Sequence, residues 1–301
     1  MFKMTTNVKQ ANAITHSGVF HSDEVLATVI LEKVLGDITV CRTFKVPEEG
    51  LSNDVIVYDI GFGKYDHHQK GGNGCRENGV PYASVGLIWK EFGRLLVADT
   101  CNPDLVWYLI DRDLIQGVDA ADNGKLPKAD YPAQPMTFYQ TISSFNPNWD
   151  SEMSADDAFV KAVEFAKIVF DNVFANAVSK AKAQGIVDEA ISKAEGHIMV
   201  LDHFVPWQEF IFSSESEKAD DVQFVVFPSN RGGYNWQCVP DVLGGFGQRK
   251  SVPNEWKGLR GLELQEVTGI ATASFCHPAG FIGGAETLED AMAIAKLAVE
   301  A

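Results

Sequence analysis

The segment that decides the fold is AITHSGVFHSDEVLATVILEKVL, which covers residues 13–35. Its opening residues, 13–15, are apolar or β-branched and predict a short strand that leads into a polar loop. From Glu24 to Leu35, apolar side chains recur at helical spacing, so we predict a helix there. The order of strand, loop and helix favours an α/β fold, in which loops on a rigid scaffold present functional side chains.

The same alternation of strands and helices continues beyond this segment. Because buried strands alternate with helices, we expect the first domain to contain a mainly parallel sheet flanked by helices. The further elements predicted for it are strands over residues 38–44 and 54–59 and helices over residues 84–96, 104–118 and, as two successive helices interrupted at Gly185, 154–193.

A second, smaller α/β domain is predicted after a boundary near Gly196, which gives domains of residues 1–195 and 196–301. It combines apolar segments with Gly-rich turns and a final helix. Its predicted elements are strands over residues 198–201 and 222–227 and a helix over residues 288–299.

Charge and composition narrow the class of protein. At 301 residues, with 46% hydrophobic residues, the chain is long enough to form packed cores. It carries 25 Lys and Arg against 41 Asp and Glu, a net charge of −16. This balance disfavours long duplex nucleic acid as a partner, but it permits a small anionic substrate beside bound cations.

The cysteine count and the hydropathy pattern favour a cytoplasmic protein. The five cysteines are odd in number and include no C-x-x-C pair, so neither a disulfide framework nor a thiolate zinc site is indicated. The sequence contains no run of 18 apolar residues, so we expect no membrane partner.

Histidines and carboxylates concentrate in two short clusters. Four of the seven histidines occur in the segments 16–24 and 66–68, and Asp59 lies between them at the end of a predicted strand. Imidazoles and carboxylates are the ligands that a pair of divalent cations needs, and one carboxylate can bridge both ions. We therefore predict a site for two cations, with Asp59 held as the bridge by its rigid strand.

Two further acids follow the helix predicted over residues 104–118. At least one of Asp119 and Asp122 is expected to be a metal ligand, although the run from Asp122 to Gly124 would also form a helix-terminating turn. The sequence does not choose between the two. Glu24 begins the helix after the first cluster, where an acid is favourable in any case, so it is predicted to cap the helix or to support a ligand.

Five ordered motifs together resemble the MYG1 family (UPF0160), which belongs to the broader DHH phosphoesterases. The resemblance extends over nearly the whole chain. It implies a two-domain hydrolase, with a DHH-type domain over residues 1–195 and a DHHA1-like substrate-binding domain over residues 196–301. The motifs are T-H-S-G-V-F-H-S-D-E at 15–24, D-I-G at 59–61, Y-D-H-H-Q at 65–69, V-D-A-A-D-N-G at 118–124 and H-P-A-G-F-I-G-G at 277–284.

The resemblance implies two divalent cations, usually manganese, in the first domain. One cation would be held by His16, His21 and Asp59, and the other by Asp23, Asp59, His67 and either Asp119 or Asp122. Many DHH members have aspartate where this chain has His21, so magnesium or another divalent ion stays open. His68 is our candidate for contacting the phosphate or protonating the leaving oxygen, since imidazole titrates near neutral pH.

The resemblance also implies an activity, which is the hydrolysis of phosphodiesters by a water that the two cations activate. Our leading prediction is a 3′-to-5′ exonuclease that acts on short single-stranded RNA or DNA. A nucleotide phosphatase, a cyclic-dinucleotide phosphodiesterase or a pyrophosphatase would use nearly the same ligands. A mononuclear zinc hydrolase would need one ion, and a non-catalytic regulator would bind metal and nucleotide without turnover.

The second domain is predicted to bind the substrate, a short oligonucleotide or a nucleotide. The glycine-rich segment 277–284 stands before the final helix, and glycines there would let backbone N–H groups approach a phosphate. Oligomeric state is not indicated, and a homodimer stays open. The candidate substrate-binding residues are Arg231, Arg249, Arg260, His277, Gly283 and Gly284.

Overall fold

The protein forms two compact units, Met1–Ser179 and Lys180–Ala301. The structure, a computed structural model, describes residues 1–125 and 128–301. The units divide within a long helix rather than near Gly196, and the functional boundary at that glycine stays a prediction. Among the described residues, no helix combines the length and apolar character that a membrane span requires.

A four-stranded sheet organises the first unit, and all of its strand pairs are parallel. The order β1-β3-β2-β4 makes β2 and β3 the central strands. This confirms the predicted parallel sheet. The strands are β1 (Phe2–Met4), β2 (Ala13–His16), β3 (Ile38–Thr43) and β4 (Ile56–Val57).

Strand β4 is shorter than the strand predicted over residues 54–59. It contains two residues and ends before Asp59, whose φ of 56° lies in the left-handed region. A residue in that conformation cannot continue a strand, so the chain turns at the predicted ligand. The prediction was therefore wrong in extent, although Asp59 does follow a strand.

In the described part of the first unit, five helices accompany this sheet, and a sixth begins there and continues past Ser179 into the second unit. They are α1 (Ser22–Leu35), α2 (Ser84–Val97), α3 (Pro103–Ile110), α4 (Gln116–Asp122), α5 (Phe138–Ser143) and α6 (Ala155–Ser192). The prediction of one continuous α-helix over residues 104–118 was wrong, because a π-helical turn at Asp111–Ile115 separates α3 from α4. The two helices predicted over residues 154–193 are one helix, since Gly185 alone costs only about 1 kcal/mol in a helix interior.

Helix α1 forms the centre of the first unit. All of its residues from Ser22 to Glu32 are buried, and it packs against α2, α4 and α5. A helix that is apolar around most of its circumference is expected to be surrounded in this way. The polar residues at its first turn, Asp23 and Glu24, are consequently buried as well.

A mixed five-stranded sheet organises the second unit, in the order β5-β6-β7-β9-β8. The pair β5 and β6 is parallel, and the other pairs are antiparallel. Together with the first unit, this confirms the predicted α/β class. The strands are β5 (Ile198–Val200), β6 (Phe224–Pro228), β7 (Tyr234–Cys238), β8 (Ala273–Cys276) and β9 (Ile282–Ala285).

The core of the second unit lies between one face of its sheet and the last helices. Trp236 and Trp256 pack there with Leu264 and Ile294. The helices of this unit are α7 (Gln208–Ser213), α8 (Glu217–Asp221), α9 (Gly261–Thr268) and α10 (Leu288–Glu300).

Candidate metal centre

The carboxyl edge of the first sheet brings the two predicted clusters together. His16 is the last residue of β2, and Asp59 follows the neighbouring parallel strand β4 by two residues. Parallel strands end at one edge of a sheet, which is where ligands bind in open α/β folds. The His16 Nε2 atom lies 3.2 Å from the Asp59 Oδ2 atom.

Asp59 occupies the position between the two histidine clusters. Its Oδ1 atom accepts a hydrogen bond from Ser84 Oγ at 3.0 Å and lies 3.5 Å from His67 Nδ1. Its other oxygen faces His16. One carboxylate oxygen toward each cluster is the geometry that a bridging ligand needs. The side chain is almost completely buried, with 2% of its residue surface exposed.

The first turn of α1 adds two buried carboxylates to this edge. The Glu24 carboxylate accepts the His21 backbone N–H at 2.9 Å, which confirms its predicted capping role. It also lies 2.8 Å from His16 Nε2, a contact that the sequence did not reveal. Glu24 can therefore act as a ligand or hold His16 in place.

Asp23 is the clearest sign that a cation belongs here. Its side chain is fully buried, yet neither of its carboxylate oxygens has a hydrogen-bond partner among the described residues. One of these oxygens lies within 4.8 Å of oxygens of Glu24 and Asp59. Buried carboxylates without donors are costly unless they are protonated or bind a cation, so the residues present fit a metal site.

Asp122, rather than Asp119, joins the candidate centre. The Asp122 Oδ2 atom lies 2.9 Å from His67 Nε2, and its Oδ1 atom lies 3.8 Å from His21 Nδ1. Potential ligand atoms of His21, Asp23 and Asp122 are all within 4.8 Å of one another. The α4 helix positions Asp122 as its last residue, facing the start of α1.

Asp119 lies one helical turn before Asp122 and has a structural role. Its carboxylate accepts the Ala83 and Gly86 backbone N–H groups, each at 2.9 Å, and pairs with Arg76 Nη1 at 2.6 Å. Burial raises the pKa of Asp119 to about 7, although the Arg76 charge and these hydrogen bonds lower it. Of the alternatives at this position, the geometry favours Asp122, and Asp119 closes the first turn of α2.

The charge on the centre depends on how protons are shared. Burial, followed by the charge of Asp59, raises the pKa of Asp23, and burial also raises the pKa of Asp59. Burial alone would lower the pKa of His16, but hydrogen bonds to Asp59 and Glu24 raise it to about 10. In the absence of a cation, protons therefore reduce the repulsion among these groups.

The Asp-His-His segment divides its two histidines between different surroundings. His67 is buried between Asp59 and Asp122, whereas the side chain of His68 is 52% exposed. The His68 Nδ1 atom lies 2.8 Å from Asp66 Oδ1, which orients the ring. His68 is thus accessible to a substrate, and its catalytic role stays a prediction.

Arg42 supports the loop of the first cluster and was missed at the sequence level. From strand β3, its buried guanidinium donates to the carbonyls of His16 and Gly18 and pairs with Asp156 at 2.8 Å. Gly18 has a φ of 93°, which this tight loop requires. A charged residue within the apolar strand β3 was the signal that could have indicated this role.

Tyr139 and Asn146 approach the same loop from the segment around α5. The Tyr139 ring is stacked on His21, with ring centroids 6.3 Å apart and planes 15° apart. The Asn146 carboxamide accepts the Phe20 N–H at 3.0 Å and donates to the Phe20 carbonyl at 2.8 Å. No sequence pattern indicated these residues, since more than 100 positions separate them from their partners.

The predicted substrate-binding residues of the second unit are dispersed. Arg231 lines a cavity of about 610 Å³ on the sheet face opposite Trp236. Arg249 instead donates through Nη1 to three carbonyls, those of Ala219, Asp220 and Val222. That contact gives Arg249 a structural role near α8.

Arg260 and His277 lie at other parts of the second unit. Arg260 is exposed and immediately precedes α9, while His277 lies against Phe281 with ring centroids 4.6 Å apart. His277 lines a second cavity, of about 440 Å³. Their predicted contacts with substrate stay predictions.

Gly283 and Gly284 do not lie in a loop, contrary to expectation. Both belong to strand β9, which pairs with β7 on one side and β8 on the other. A Cβ at Gly283 would lie 2.1 Å from the Trp236 ring, so this glycine is needed for packing. Backbone N–H groups within a paired strand are not free to form the predicted phosphate loop.

The fold and the site together define an α/β protein with a candidate centre for divalent cations. A family model for the MYG1 exonuclease group, described as an uncharacterised protein family (UPF0160), matches residues 12–299. The chain belongs to the MYG1 family, as its sequence motifs predicted.

Individual relatives cover nearly the same length. The chain is 30% identical to the MYG1 protein of Saccharomyces cerevisiae, over 99% of this chain and 98% of the relative. It is 31% identical to the human MYG1 exonuclease, over 94% of this chain and 84% of the relative. No solved structure matches the chain.

Proposed function

We propose that this protein is a metal-dependent phosphodiesterase, and that it removes nucleotides from short single-stranded RNA or DNA in the 3′-to-5′ direction. Support for the class comes from relatives named MYG1 exonuclease in human and mouse, at about 30% identity. The observation that carries the proposal is the buried Asp23 carboxylate, which has no donor among the described residues and lies beside Asp59 and Glu24.

The proposed centre uses ligands from four parts of the first unit. Two divalent cations, which we propose to be Mn²⁺, would lower the pKa of a water and neutralise charge on a phosphoryl group. The proposed ligands are His16, His21, Asp23, Asp59, His67 and Asp122, with Glu24 beside them. This set offers oxygen and imidazole donors without thiolates, which suits manganese or magnesium.

The chain's own residues have distinct tasks in this proposal. Asp59 joins the two halves of the centre, and Ser84 fixes its orientation by donating to Oδ1. His67 is held between Asp59 and Asp122. His68, oriented by Asp66 and open to solvent, is the proposed donor to the leaving oxygen.

The residues that line the cavity at Arg231 support the proposal that the second unit binds a nucleotide of the substrate. Asn235 and Gln237 lie two residues apart on β7, so their carboxamides share the face that lines this cavity. Phe204 and Phe227 lie beside them, with ring centroids 5.2 Å apart. Aromatic rings stack on bases, carboxamides bind base edges and arginine binds phosphate, which together suit one nucleotide.

The proposal is tested with Mn²⁺-loaded protein and end-labelled single-stranded oligonucleotides of several lengths, alongside pyrophosphate and a cyclic dinucleotide. We expect stepwise shortening from the 3′ end. Asp59→Asn and His67→Ala should each reduce turnover on the order of 100-fold or more, because each removes a group at the reacting centre. Asp150→Asn and His203→Ala change exposed residues of the same types and serve as controls.

The products decide between neighbouring activities. Release of phosphate from pyrophosphate, or opening of the cyclic dinucleotide with intact linear oligonucleotides, would replace the exonuclease by another phosphoesterase. Binding of nucleotide without hydrolysis of any substrate would indicate a regulator.

A further inference from the structure

The segment that carries Tyr139 is fastened to the loop of the first histidine cluster. Thr137 and Gln140 form a capping box at the start of α5, with the Thr137 N–H donating to Gln140 Oε1 at 2.9 Å. At the other end of the segment, Asn146 forms two hydrogen bonds with the backbone of Phe20. Tyr139 is therefore held in place relative to His21, the residue after Phe20.

The Tyr139 side chain faces the candidate centre. Its ring is nearly parallel to the His21 imidazole, with planes 15° apart. Potential ligand atoms of His21, Asp23 and Asp122 lie within 4.8 Å of one another, so the Tyr139 ring lies beside a member of this group. Tyr139 is partly buried, and its hydroxyl forms no hydrogen bond with any of the described residues, so it is available to a ligand.

The centre needs a donor for an anionic group. The two arginines that support it are engaged elsewhere, Arg42 with two carbonyls and Asp156, and Arg76 with Asp111 and Asp119. Among the carboxylates of the centre, a phenol is a neutral donor that can approach a phosphate without adding charge to the protein.

We propose that the Tyr139 hydroxyl donates a hydrogen bond to a phosphoryl oxygen at the metal centre and is therefore a further catalytic residue. The inference rests on the proposed function, because it places a phosphate group there. The ring has a second task, which is to hold the His21 imidazole against the centre. The two tasks are separable, since phenylalanine keeps the ring and loses only the hydroxyl.

The test measures binding as well as turnover in the full-length protein. Mn²⁺ binding, and then the binding of inorganic phosphate to the Mn²⁺-loaded protein, are measured by calorimetry for wild type, Tyr139→Phe and Tyr139→Leu. Tyr108→Phe, at a half-exposed tyrosine on α3, is the matched control. Tyr139→Phe should leave Mn²⁺ affinity unchanged and weaken phosphate binding about 10- to 100-fold, as expected for a hydrogen bond to a charged group.

Tyr139→Leu should weaken Mn²⁺ binding in addition, because His21 loses the ring beside it. For oligonucleotide substrates, Tyr139→Phe should lower kcat by a similar factor. Tyr108→Phe should change neither kcat nor the affinity for phosphate. Wild-type phosphate affinity in Tyr139→Phe, or no phosphate binding by the wild type, would overturn the inference. Phosphate binding that depends on Tyr139, without hydrolysis of any oligonucleotide, would support the inference and refute the proposed exonuclease.

Discussion

Asp23 and Asp119 are both fully buried carboxylates of the first unit, and they differ in what compensates their charge. Asp119 has Arg76 and two backbone N–H groups as partners. Asp23 has three other carboxylates near it and no hydrogen-bond donor among the described residues. A buried charge must be paired. Asp119 is therefore a structural residue that stabilises the fold, whereas Asp23 is available to a cation.

Loss of the ion pairs between Arg76 and the carboxylates of Asp111 and Asp119 should produce the largest effect on stability. Replacing Arg76 by alanine leaves Asp119 and Asp111 buried without their cation, and it should lower the free energy of unfolding by about 3–5 kcal/mol. Urea unfolding measures this change, and adding Mn²⁺ should not restore it.

Arg94→Ala provides the control for that loss. Arg94 pairs with Asp104 at the surface, where both side chains are largely exposed, so its removal should cost less than about 1 kcal/mol. An equal loss of unfolding free energy in Arg76→Ala and Arg94→Ala would contradict the view that Asp119 depends on the buried guanidinium of Arg76.

Mn²⁺ should stabilise the wild type by binding at the candidate metal centre around Asp23 and Asp59. At a free concentration of 100 times Kd, a ligand that binds only the folded state adds about 2.7 kcal/mol to the free energy of unfolding. His67→Ala should lose most of this increment, whereas His203→Ala, at an exposed position, should keep it. Thermal unfolding with Mn²⁺ and with EDTA measures the increment, and its absence from the wild type would refute the metal site.

The increment should also depend on pH. The pKa values of Asp23 and Asp59 are raised in the folded protein, so without metal the folded state loses stability as pH rises through those values. A bound cation competes with the protons, so Mn²⁺ affinity should increase from pH 6 to pH 8. Calorimetry at several pH values measures this trend, and a flat or opposite dependence would argue against deprotonation of these ligands.

Local patterns predicted the part of the site that is local in sequence. The order of β2, loop and α1 follows from residues 13–35, and parallel strands necessarily end at one edge, which brings His16 near Asp59. The choice of Asp122 over Asp119 was not predictable, because one helical turn separates two identical side chains. It depends on Arg76, which lies more than 40 residues earlier in the chain.

Long-range contacts explain the other gaps between sequence and structure. Tyr139 meets His21 only after α5 packs on α1, and periodicity carries no information on such a contact. Gly283 resembled a phosphate-binding glycine but is small because Trp236 packs against it. A glycine motif does not distinguish a loop from a closely packed strand.

The comparison of Asp23→Asn with Asp119→Asn, by thermal unfolding at pH 8 in EDTA and in Mn²⁺, tests the central claim most directly. In EDTA, Asp23→Asn should unfold at a higher temperature than the wild type, because the amide is neutral without having to hold a proton, and Mn²⁺ should add little. Asp119→Asn should unfold at a lower temperature in both conditions and keep the full Mn²⁺ increment. An Asp23→Asn protein that is less stable in EDTA and still gains the full increment would contradict the account.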